Sequence, residues 1–168
     1  MKYLLIILPV ICYWSCSSPE KESTDEVLRH VGDILYDPAL DTTDFKPCHE
    51  DLTYQYYNFS NGIRYTGEKA AIRRAFKRNF RPTGNGESGY LTVRFIVNCE
   101  GKTGWFRLVT MDKDYREVAL SDDLTDQIMK ITRELDGWLP GEFDDKPYDY
   151  YQYLTFKITN GDIEDIMP

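Results

Sequence analysis

The strongest constraint on this chain lies between residues 89 and 166, where apolar side chains recur at two different periods without a break. Residues 90–98 alternate at period two. Leu91, Val93, Phe95 and Val97 share one face, and Tyr90, Thr92, Arg94 and Ile96 share the other. Glu100-Gly101 supplies a tight turn, and the run from Trp105 to Val109 begins a strand that returns beside the first. Over residues 121–135 the period becomes helical, with Leu124, Ile128, Ile131 and Leu135 in one stripe. Ser121 is the expected cap, Asp122 and Asp123 suit the helix dipole, and Gly137 ends the helix. Residues 150–158 alternate again, with Gln152, Leu154, Phe156 and Ile158 on the core side. Strand, strand, helix, strand in this order predicts an α+β fold, a small antiparallel sheet with a β-β-α-β core.

A further helix is expected just before this core, from Gly67 or Glu68 to Phe80. Ile72, Phe76 and Phe80 lie one turn apart with Ala75 alongside. Its other faces carry Lys69, Arg73, Arg74, Lys77 and Arg78, followed by Arg81. The chain has a net charge of −8, so this basic face stands out. It is a candidate contact for anionic headgroups, an acidic partner or a glycan, set against the plainer reading of a solvated face. The overall acidity argues against nucleic acid as a partner.

Residues 25–66 read as an extension. Val27, Leu28, Val31, Ile34 and Leu35 have helical spacing and Pro38 marks a stop. Residues 52–59 read as a strand, Ser60-Asn61-Gly62 as a turn, and Ile63-Arg64-Tyr65 as a short returning partner. Such a hairpin caps the sheet or forms an aromatic binding surface.

The first fifteen residues fit a signal peptide. Lys2 is followed by an apolar run over residues 4–11, too short to span a bilayer. Ser15 precedes Cys16 as in the lipobox of bacterial lipoproteins, so Cys16 is the expected lipid attachment and residues 16–24 a polar tether. Removal of the leader takes Cys12 with it and leaves Cys48 and Cys99, which are expected to form one disulfide in an exported chain.

Catalytic signals are sparse. Cys48-His49-Glu50-Asp51 gathers reactive types, but adjacent side chains on an extended stretch point apart, and the motif lacks zinc spacing. Asp112, Asp114 and Glu117 lack the glycine of a calcium loop. No phosphate-binding glycine loop or nucleophile elbow is present. The expectation is a protein that is not an enzyme, with no cofactor and no metal site.

Residues 89–98, Gly101, Trp138-Leu139-Pro140-Gly141, Lys146-Pro147 and residues 156–163, with the helix entry at 67–72, resemble the C-terminal domain of TonB-type proteins. The likeness is to the version found in Bacteroidetes-type envelope lipoproteins and covers about residues 65–163. The family's Tyr-Pro pair before the first strand is replaced here by residues 81–86. The resemblance implies a domain over residues 67–168, and a last strand, residues 150–158, that is a sheet edge accepting an extended peptide. It makes Tyr151, Tyr153, Thr155 and Lys157 the peptide-binding residues. The implied partner is an outer-membrane or periplasmic protein, such as a TonB-dependent-type transporter, met by a module lipid-anchored to the outer membrane and facing the periplasm. The short apolar run and the lack of a proline-rich spacer separate this chain from an energy transducer. The rival reading is a structural or adaptor lipoprotein that touches cell wall or lipid through the basic helix. An open last strand favours the first, and a covered strand beside an exposed basic face the second.

Overall fold

A computed structural model describes residues 32–49, 52–55 and 62–167. Among them, β1 (Thr53–Gln55) is followed by α1 (Glu68–Asn79), β2 (Gly89–Val97) and β3 (Thr103–Met111). Then come α2 (Asp122–Arg133), β4 (Gly141–Phe143), β5 (Lys146–Thr159) and β6 (Asp162–Met167). Together they make a small α+β fold with an open, mixed sheet and two helices. The sheet runs β1-β5-β2-β3, with β4 and β6 also paired to β5. Among the described residues only the β1–β5 pairing is parallel.

The alternation in the sequence becomes two unlike faces. Leu91, Val93, Phe95 and Val97 join Leu154, Phe156 and Ile158 beneath the helices, where Ile72, Phe76, Leu124 and Ile128 close the main core. Each fully buried side chain of this size contributes about 1.5–3 kcal/mol. The β2–β3 turn is set by Asn98, whose side-chain oxygen accepts the backbone N–H of Glu100 and of Lys102, each at 3.0 Å. Gly101 there has φ 76°, and a Cβ would stand 2.6 Å from the Trp138 carbonyl oxygen. Only glycine fits that corner.

Part of the opposite face, around Arg94, Ile96 and Tyr151, is buried too, by a segment rather than a layer. Residues 32–49 lay Ile34 and Phe45 over Ile96 and Tyr151, with Trp105 and Tyr153 at the margin. Arg94 is therefore 3% exposed, although its strand pattern suggests a polar face. Its guanidinium lies over the rings of Tyr151 and Tyr153, at 5.3 and 5.1 Å, and donates to the Gly32 carbonyl. A register shift in β2–β3 after Arg94 accompanies Trp105 at φ 52°, as at a bulge that turns its indole toward this second cluster.

Three expectations change. Gly32–Leu35, the described end of the expected extension helix, is not helical, while residues 25–31 lie outside the described residues. Its apolar Ile34 is held by packing against the sheet, which an extended chain does as well as a helix. The hairpin of the extension also does not form as read: Thr53–Gln55 pairs in parallel with Asp149–Tyr151 instead. Tyr65 bridges to Trp138, and the Leu139 N–H donates to the Arg64 carbonyl at 2.9 Å. Residues 56–61, which would complete the hairpin, are outside the described residues. Finally, the Ser121 side chain does not cap α2. Its hydroxyl and backbone N–H both donate to the Glu87 carboxylate, at 2.7 and 2.9 Å, which places that charge at the helix N-terminus.

Candidate functional site

The expected docking edge is not an edge. β5 is paired with β2 from Tyr150 to Ile158, and its other side is shared by β1 at Asp149–Tyr151 and β6 at Thr155–Thr159. The four residues assigned to peptide binding are occupied internally. Tyr151 is packed with Ile34 and Phe45, and the Tyr153 hydroxyl donates to Gln55. The Thr155 and Thr92 hydroxyls are 3.0 Å apart, and Lys157 Nζ is 2.6 Å from Glu164 of β6. The core-side assignment of Gln152, Leu154, Phe156 and Ile158 holds, since all are at most 1% exposed.

What displaced the edge is a two-residue hairpin. Asn160 at φ 54° and Gly161 at φ 74° turn the chain so that β6 pairs back on β5. An Asn-Gly pair with both residues at positive φ is the hairpin turn that matches strand twist. That dipeptide was the available signal.

β6 is now an outer strand, with no strand beyond it among the described residues. Between it and α1 runs a groove of about 750 Å³. Phe76, Phe80, Pro82, Ile163 and Ile166 line it, with Arg73 and Lys77 on the helix wall and Asp162, Glu164 and Asp165 on the strand wall. Arg73 donates to Asp165, and Lys69 Nζ stands 3.9 Å away from it. The Arg73 hydrogen bond holds the Asp165 carboxyl below its ordinary range. Lys157 does the same for Glu164, whose own hydrogen bond and charge raise the ammonium pKa in return. On the strand, the outward N–H groups of Ile163 and Ile166 donate to the carboxylates of Asp162 and Asp165, at 2.8 and 2.7 Å. Charged side chains commonly guard sheet edges this way.

The basic face of α1 divides in two. Lys69, Arg73 and Lys77 form a row along the groove. Arg74 and Arg78 form a second row turned away from it, both exposed and without an ion pair among the described residues. Arg81 folds back onto the carbonyls of Arg78 and Phe80 at the helix end.

Cys48 and Cys99 are joined by a disulfide that spans 51 positions, the pairing expected from the sequence. Beside it the structure brings up a residue that sequence reading passed over. Asp149 is 0% exposed, and its carboxylate accepts the backbone N–H of Cys99 at 2.7 Å and of His49 at 2.8 Å. Nothing local marks Asp149, because its partners are 50 and 100 residues away. Cys16 lies outside the described residues. Among those described, no helix is long and apolar enough to cross a membrane. Comparison of the chain with protein-family models, curated proteins and solved structures finds no match in any of the three.

Proposed function

We propose that this chain is a protein-binding module of the cell envelope, anchored to the outer membrane through Cys16, that receives an extended acidic peptide alongside β6. The observation carrying this reading is the groove between the outer strand β6 and the basic row of α1. A strand added there would supply carbonyls in place of the Asp162 and Asp165 carboxylates on the Ile163 and Ile166 amides. Its apolar side chains would meet Phe76, Phe80, Ile163 and Ile166, and an acidic one would meet Lys77. The chain order β2-β3-α2-β5, with the short β4 before β5, is the strand-strand-helix-strand order read from the sequence. The docking edge moves outward by one strand.

A photo-crosslinking residue at Asp162 tests the reading in cells. Support is a crosslink to one acidic, extended segment of an envelope protein, lost in Lys77→Glu and absent when the probe sits at exposed Tyr115. The adaptor reading draws on the covered β5 and the exposed Arg74 and Arg78. Binding to anionic vesicles or isolated cell wall, lost in Arg74→Glu/Arg78→Glu without any peptide crosslink, selects that reading instead.

A further inference from the structure

We propose that reduction of the Cys48–Cys99 disulfide opens a site for one Zn²⁺ ion, held by the two thiolates, the Asp149 carboxylate and the His49 imidazole. The inference is independent of the β6 groove.

The sulfur atoms of Cys48 and Cys99 and a carboxylate oxygen of Asp149 all lie within 4.8 Å of one another. Four donors around a tetrahedral zinc, at about 2.3 Å for sulfur and about 2.0–2.2 Å for nitrogen and oxygen, sit about 3.3–3.8 Å from each other. His49 Nδ1 is 4.0 Å from Asp149 Oδ2 on a half-exposed side chain outside that three-residue cluster, and it joins the ion only by turning toward the sulfurs. Two sulfurs, one imidazole and one carboxylate are a donor set that zinc accepts. The sequence pattern concealed the set because its members come from three places: the segment before β1, the β2–β3 turn and β5.

Asp149 gives the site its reason. A fully buried carboxylate ordinarily has a cationic partner or a metal. Among the described residues its only ion-pair neighbour is His49, at the limit of contact. The two backbone N–H groups fix the carboxylate's orientation, one on each oxygen, and leave each oxygen with a further lone pair. Backbone donors arranged this way act as the supports that orient a metal ligand. The Sγ–Sγ bond now links the same loops that the ion would link.

The chemistry balances with an external dithiol as reductant. Its two electrons and two protons convert the disulfide into two thiols while it becomes a disulfide itself. Zinc binding then releases the two thiol protons to solvent. Cys48 is an exposed residue, so it is the side from which an attacking thiolate approaches the bond.

The test uses the purified protein, reduced and desalted without air, titrated with Co²⁺ as a spectroscopic probe and then with Zn²⁺. The expected result is one Co²⁺ per chain, with thiolate-to-cobalt absorption and tetrahedral ligand-field bands that Zn²⁺ abolishes, and none with oxidised protein. Asp149→Asn and His49→Ala, each checked for folding by far-ultraviolet circular dichroism, should weaken Co²⁺ binding about tenfold or more. If the reduced apoprotein loses its circular dichroism signal, restoration of that signal by Zn²⁺ supports the site. The proposal is overturned if reduced wild type binds Co²⁺ no better than Cys48→Ser/Cys99→Ser. Undiminished binding by both folded ligand variants overturns it equally, as does a reduced chain that stays unfolded with Zn²⁺.

Discussion

Arg107 grips Asp41 with two nearly parallel hydrogen bonds, Nη1 to Oδ1 at 2.8 Å and Nη2 to Oδ2 at 2.7 Å, while Nη2 also donates to the Leu35 carbonyl at 2.6 Å. The Asp41 side chain is 1% exposed and that of Arg107 16%. This forked pair ties residues 35–41 to β3 and so holds Ile34 and Phe45 over the second face of the sheet. Asp41→Ala leaves the partly covered Arg107 guanidinium without its carboxylate. It should cost about 1.5–3 kcal/mol in denaturant unfolding and disturb the near-ultraviolet signal of Trp105. An unchanged midpoint would show that the segment docks without the pair.

The same residue sets an acid dependence. Burial pushes the Asp41 carboxyl upward, but the hydrogen bonds from Arg107 and the Asp37 backbone, with the Arg107 charge, bring it below its ordinary value. A folded-state pKa below the unfolded one contributes stability that is complete above about pH 4, the unfolded value, and lost as pH falls through the folded value. Glu87 has the same sign, lowered chiefly by its hydrogen bond from Ser121. Unfolding midpoints measured from pH 6 down to about pH 2.5 should decline in wild type and decline less in Asp41→Asn. Parallel profiles would remove Asp41 from the account.

The disulfide closes a long loop, from residue 48 to residue 99. Constraining the unfolded chain over that length stabilises the fold by about 2–4 kcal/mol. Reduction without metal should lower the urea midpoint accordingly. The loss should be close to that of Cys48→Ser/Cys99→Ser in the same buffer.

Gly161 should resist substitution more than its neighbours in the 81–88 loop. It has φ 74°, and a Cβ would meet Thr83 Oγ1 at 2.3 Å and the Gly84 nitrogen at 2.9 Å. At Gly84, φ is 64° but nothing lies within 4 Å. Gly84→Ala should cost about 1 kcal/mol from backbone strain alone, and Gly161→Ala about 2–3 kcal/mol, with loosening of β6. Amide exchange at Ile163 and Ile166 reports that loosening directly.

These residues also separate what local pattern can disclose from what it cannot. The faces of β2 and β5, the stripes of α1 and α2 and the Glu100-Gly101 turn were legible because period two and period 3.6 are set by backbone geometry within a few residues. The disulfide was legible because the expected leader and lipid attachment account for Cys12 and Cys16, and the two cysteines left under that expectation have one simple pairing. Asn160-Gly161 was legible in principle as a hairpin turn, but the TonB resemblance makes the residues beyond it a tail. The β6 strand they form turns the expected binding edge into an interior strand.

By itself the sequence determined β2, β3, β5, α1 and α2, their core faces and their order, since each follows from side chains spaced along one local axis. Only the tertiary structure decided that β5 lies inside the sheet, that residues 32–49 cover part of its second face, and that α1 and β6 enclose a groove. It alone brought Asp149 to the disulfide and Asp41 to Arg107. The carboxylate contacts join residues 50 to 100 positions apart, and all of these relationships depend on which edges and faces meet once the chain has closed. No periodicity carries that information, because it resides in the packing of whole elements against one another.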